Sequence, residues 1–65
     1  MKVILEHKGK IKKVDTKKKT LGALLKELGY SPKDYIITVN GKISLPTEKI
    51  KENSIIKLFA IVSGG

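Results

Sequence analysis

The side chains able to do chemistry in this chain are few. There is one histidine, His7, no cysteine, and six carboxylates: Glu6, Asp15, Glu27, Asp34, Glu48 and Glu52. General acid–base work needs two groups converging in a water-poor pocket. The carboxylates fall one to an element and read as ordinary surface charge, and His7, beside a turn, is expected to face solvent. A structural zinc site takes four ligands, so one histidine without cysteine cannot build it. The missing thiols also remove disulfides and cysteine nucleophiles. The expectation is a protein with no catalytic site of its own and no metal site.

One constellation does point to chemistry. The sequence closes on Ser63-Gly64-Gly65 after an apolar stretch. Two glycines give backbone with no side chain, wide φ/ψ freedom and an unhindered carboxylate. Such a strip threads a channel that any Cβ would block. Glycine averages about 7% of residues, so a Gly-Gly ending arises by chance in roughly 0.5% of chains. Taken alone, it reads equally well as a frayed end. Residues 1–62 are expected to form one domain and residues 63–65 a flexible tail.

Fourteen basic residues against six acidic ones give a net charge of +8, and all fourteen are lysine. That field favours acidic partners. Arginine, the side chain that reads guanine edges and clamps phosphates bidentately, is absent. Only Tyr30, Tyr35 and Phe59 could stack on a base. Nonspecific attraction to polyanions fits this composition; sequence-specific nucleic-acid recognition does not. Lys17-Lys18-Lys19 reads as a solvated loop before a helix, where it could also draw an external anion.

Sixty-five residues make one small domain, which buries only about 60% of the surface its unfolded chain exposes. No apolar run approaches the roughly 20 residues of a membrane span. Lys2, Glu6 and His7 make the N-terminus unlike a signal peptide. A soluble cytoplasmic domain is expected.

The elements that must position these residues follow from periodicity. Residues 2–6 and 10–15 form strands joined at Gly9. Ile11 and Val14 break strict alternation, which predicts a bulge or an irregular strand end. Leu21, Leu24, Leu25 and Leu28 lie at i, i+3, i+4 and i+7, one stripe of an amphipathic helix. Thr20 stands at its N-cap, Gly29 at the left-handed position after its last turn, and Tyr30 covers Leu25. Residues 35–39 and 42–45 pair around Asn40-Gly41, a strong hairpin signal. Residues 47–50 are predicted as a short helical turn and Asn53-Ser54 as a turn. The last strand runs from Ile55 to Val62. One helix crossing one face of a mixed sheet of four to five strands is an α+β arrangement. The Leu stripe is expected to pack on Val3, Leu5, Ile37, Val39, Ile56 and Leu58. On the last strand, Ile56, Leu58 and Ala60 share one face and Lys57, Phe59 and Ile61 the other. A single helix covers one face, so Phe59 and Ile61, with Lys57, are expected to form an exposed docking patch.

The element order, Val39-Asn40-Gly41 in mid-chain and Val62-Ser63-Gly64-Gly65 at the end together resemble the β-grasp sulfur carriers. These include the thiamin-biosynthesis carrier, the small subunit of molybdopterin synthase and related ubiquitin-like modifiers. The resemblance spans the whole chain. Family members often carry Asp-Gly-Asp before the last strand, where this chain has Glu52-Asn53-Ser54. The length is similar to the thiamin carrier and the Val-Ser-Gly-Gly ending to the molybdopterin subunit. The resemblance implies that an activating enzyme adenylates the Gly65 carboxylate with ATP. Sulfur from a donor protein or sulfide then leaves a thiocarboxylate there, for a sulfur-accepting synthase in thiamin or molybdopterin biosynthesis or for tRNA thiolation. Gly64 would be a channel residue. A ubiquitin-like modifier joined through Gly65 to lysines shares that activation. A small basic nucleic-acid-binding domain is the other rival, and it predicts indifference to loss of Gly64-Gly65.

Overall fold

The computed structural model describes residues 1–62. Gly64, Gly65 and the expected flexibility of 63–65 lie outside the described residues. In chain order the elements are β1 (Lys2–His7), β2 (Lys10–Asp15), α1 (Leu21–Glu27), a 3-10 turn (Pro32–Asp34), β3 (Tyr35–Val39), β4 (Lys42–Ser44) and β5 (Ile55–Ala60). The strands form one sheet in the order β2-β1-β5-β3-β4. The two hairpins are antiparallel, while β1 and β5 run parallel at the centre. With one helix across one face, this is the α+β, β-grasp arrangement that the sequence led one to expect.

Both hairpins close through two residues with positive φ, the geometry that matches the twist of the flanking strands. Asn40 (φ 52°) and Gly41 (φ 85°) close β3–β4, and Lys8 (φ 54°) and Gly9 (φ 74°) close β1–β2. The first hairpin has no bulge. Pairing is continuous from Lys2 opposite Asp15 to His7 opposite Lys10. Ile11 and Val14 break alternation because they serve opposite faces: Val14 packs against the core, while Ile11 points away from it and is 67% exposed.

The core is Val3, Leu5, Leu21, Leu24, Leu25, Ile37, Ile50, Ile56 and Leu58, with Val14, Tyr30, Tyr35 and Val39 packed against it. Leu28 is not part of it. The helix ends at Glu27, Leu28 caps it with ψ near 0°, and Gly29 (φ 90°) turns the chain away, which leaves Leu28 exposed. Tyr30 N–H donates to the Leu25 carbonyl at 2.8 Å, which lays its ring over the core as expected.

The segment after β4 corrects one expectation. Residues 47–50 form no helical turn. Glu48 N–H donates to the Leu45 carbonyl, Lys49 bridges to Thr20, and Ile50 enters the core. This segment also takes up the helix's free donors. Leu21 N–H donates to the Glu48 carbonyl (3.0 Å), Gly22 N–H to the Pro46 carbonyl (2.8 Å) and Ala23 N–H to Thr20 Oγ1 (3.3 Å). Leu24 N–H meets the Thr20 carbonyl at 3.0 Å, so all four N–H groups of the first turn are occupied. The helix start therefore offers no free backbone donor, and Lys17, Lys18 and Lys19 before it are exposed. The approach is tight enough that a Cβ on Gly22 would sit 3.1 Å from the Pro46 carbonyl oxygen.

His7 also departs from expectation. It lies on the helix side of β1 and packs between Tyr30 and Tyr35, with ring centroids 5.2 and 5.3 Å away. The tyrosines stand 5.5 Å apart, and the three rings are mutually near-perpendicular. His7 Nε2 is buried without a hydrogen-bond partner. Short apolar–polar alternation signals which side a residue is on, not what arrives there. Tyr30 and Tyr35 come from beyond the helix.

Candidate functional site

The parallel pairing of β1 and β5 fixes the geometry of the candidate site. His7 lies opposite Leu58, so the end of β5 and the Lys8-Gly9 turn reach the same end of the sheet. Tyr35 lies opposite Ala60, which brings the start of β3 there as well. β5 ends at Ala60, two residues earlier than expected. Ile61 is still tied down, its N–H donating to the Asp34 carbonyl at 2.9 Å. Ala60, on the helix-side face, is exposed, because the helix does not extend over that end.

The face of the sheet away from the helix is open. Register places Phe59 beside Ile36, and Lys57 between Thr38 on β3 and Glu6 on β1. Ile43 follows on the β4 edge, opposite Thr38. Phe59 is 51% and Ile61 52% exposed, and Ile36, Ile43 and Ile55 are exposed too. Lys57 Nζ stands 3.9 Å from Glu6 Oε2, a half-exposed ion pair set among apolar side chains. Phe59 and Lys57 thus share one open face, and Ile61 is exposed just past the end of β5. Ile36, Ile43 and Ile55 were not singled out from sequence. Alternation within β5 already places Ile55 on the face of Lys57 and Phe59, whereas only cross-strand register shows that Ile36 and Ile43 adjoin them.

Among the described residues there is no group of three or more His, Asp or Glu side chains placed to hold a metal ion. The carboxylates are dispersed. Glu27 Oε1 accepts from Thr16 Oγ1 at 3.0 Å, Asp15 meets the Met1 amine at 3.3 Å, and Glu52 and Glu48 accept from the backbone N–H groups of Lys2 and Leu45. Four of the six therefore secure the fold and Glu6 pairs with Lys57. No helix among these residues is long and apolar enough to cross a membrane.

The model of the ThiS family matches residues 3–65. The chain belongs to the ThiS family. These are β-grasp sulfur carriers of thiamin biosynthesis, so the role of the chain is that of a small sulfur carrier. Membership implies dealings with an activating enzyme and with a synthase. No curated protein matches the chain significantly. The sulfur-carrier role also accounts for the plain chemistry of the described surface.

Proposed function

We propose that the carboxylate of Gly65 is the group this carrier presents for activation. It attacks the α-phosphorus of ATP in the activating enzyme, forming an acyl adenylate and releasing pyrophosphate. Hydrosulfide then adds to the acyl carbon and AMP leaves, so that Gly65 ends in a thiocarboxylate. A donor protein's persulfide reaches the same product through an acyl disulfide that a thiol reduces. The thiocarboxylate sulfur is the nucleophile delivered to the synthase, with the thiazole of thiamin as its destination. Gly64 keeps the approach free of any Cβ. ATP belongs to the activating enzyme, and the carrier acts there as co-substrate in the cytoplasm.

The observation that carries this reading is the family match, which runs through Gly64 and Gly65. The open sheet face adds a means of docking. Phe59 and Ile61 supply exposed apolar surface beside the Lys57–Glu6 ion pair, close to where the chain leads into residues 63–65. Exposed apolar surface of this kind is what a protein partner buries.

The test is incubation with the activating enzyme, ATP and sulfide, followed by intact-mass spectrometry. The expected product gains the mass of one oxygen-to-sulfur exchange, located in the C-terminal fragment because oxidation of Met1 gives a similar gain. Deleting Gly65 should leave stability unchanged and abolish adenylation. A truncated protein that is still adenylated overturns the assignment.

A further inference from the structure

The same end of the sheet carries a feature that sulfur carriage does not use. Leu5 and His7 on β1 and Lys10 and Lys12 on β2 all face the helix side, since Leu5 lies opposite Lys12 and His7 opposite Lys10. With Lys8 in the turn and Tyr30 from beyond the helix, they line a recess of about 310 Å³. Leu5, His7 and Tyr30 form its walls, and the three lysines are exposed around it.

Two features mark this recess. First, three lysines line it and none has a carboxylate partner among the described residues. The ion pairs among the described residues are Met1 with Asp15 and Lys57 with Glu6, and none of the three lysines takes part. Glu6 is the acid nearest in sequence, but it points to the opposite face and is held by Lys57. Second, Lys8 holds φ at 54°, a left-handed conformation unfavourable for a lysine. The other hairpin fills the equivalent position with Asn40, which tolerates that conformation. Local strain and unpaired like charge at one spot are the pattern left where a site is kept for a ligand.

We propose that Lys8, Lys10 and Lys12, over the Leu5–His7–Tyr30 walls, form a binding site for oligophosphate anions beside the end of β5. The chemistry selects this class. Lysine binds phosphate oxygens as a compact point charge with three donors, without the fixed geometry of a guanidinium fork. Three ammonium groups around one recess suit a ligand with several anionic oxygens. An inorganic chain or the phosphates of a nucleotide would supply them equally. The site does not depend on how Gly65 is activated.

The test is a ¹⁵N–¹H NMR titration of the full chain at low salt with inorganic tripolyphosphate, ATP, AMP and a short single-stranded oligonucleotide. Tripolyphosphate should give saturable shifts confined to the amides around Leu5, His7, Lys8, Lys10, Lys12 and Tyr30. The double variant Lys10→Gln/Lys12→Gln should weaken binding at least about tenfold, because two charge-assisted contacts are lost. The equally charged control Lys17→Gln/Lys18→Gln should weaken it by no more than about twofold, by loss of screened long-range attraction only. ATP binding as tightly as tripolyphosphate assigns the site to nucleotide phosphates also, and preference for tripolyphosphate assigns it to the inorganic chain; both support the proposal, as does weaker binding of AMP. Lys8→Asn should raise the thermal midpoint by about 3 °C through relief of strain and weaken anion binding in the same protein. Unsaturable shifts, equal weakening by the two double variants, unchanged affinity in Lys8→Asn, or an oligonucleotide response centred on Lys17–Lys19 would each overturn it.

Discussion

Asn40 and Ile55 exchange two hydrogen bonds: the Asn40 N–H donates to the Ile55 carbonyl at 2.8 Å, and the Ile55 N–H donates to Asn40 Oδ1 at 2.9 Å. The tip of the β3–β4 hairpin is thereby fastened to the first residue of β5, the strand that carries the chain toward its C-terminus. The side chain replaces a ladder contact that the backbone, already turning at φ 52°, cannot make.

Asn40 therefore has two separable roles, and two variants distinguish them. Asn40→Gly keeps the positive φ and loses the side-chain bond, at about 1–2 kcal/mol. Asn40→Ala loses the bond and adds left-handed strain, so it should cost about 1 kcal/mol more. Urea denaturation measures both. Equal stability of the two variants would show that backbone strain is not a factor there.

The leucine stripe should divide sharply. Leu25 is fully buried, and Leu25→Ala should cost about 2–5 kcal/mol, much of what so small a domain possesses. Leu28 is 36% exposed after the last helical residue, and Leu28→Ala should cost less than about 1 kcal/mol. Denaturation midpoints at fixed m-value are the readout.

His7→Phe should be neutral or stabilising by up to about 1–2 kcal/mol, because it removes a buried nitrogen that has no partner and keeps the ring. His7→Ala should be destabilising, since it empties the place between Tyr30 and Tyr35. Thermal denaturation of the pair checks the sign. A strongly destabilised His7→Phe would mean that the nitrogen has a role in the native state.

Phe59→Ala should leave folding within about 0.5 kcal/mol, as for most exposed substitutions, and weaken binding to the activating enzyme about tenfold or more, as expected for a buried aromatic anchor. Calorimetric titration gives the affinity, and circular dichroism checks the fold. A variant that binds normally removes Phe59 from the docking surface.

Much of the architecture was legible in the sequence because it is written in local terms. Leucines at helical spacing, Thr20 and Gly29 at the helix ends, and Asn40-Gly41 between apolar runs each specify an element through neighbours a few residues away. The family likeness was legible for a similar reason, since Val39-Asn40-Gly41 and Ser63-Gly64-Gly65 are contiguous strings. Tertiary structure decided what depends on pairing between distant segments. The continuous register of β1 with β2 turned an apparent bulge into a residue for each face. Long-range hydrogen bonds drew residues 47–50 out of a helical turn and onto the start of α1, where the carbonyls of Pro46 and Glu48 satisfy donors no local residue reaches. Packing of His7 between aromatic rings required Tyr30 and Tyr35 to converge from other elements, and the patch around Phe59 required β1, β3, β4 and β5 side by side. Each of these outcomes is set by contacts between segments far apart in the chain, which strand alternation and helix period do not encode.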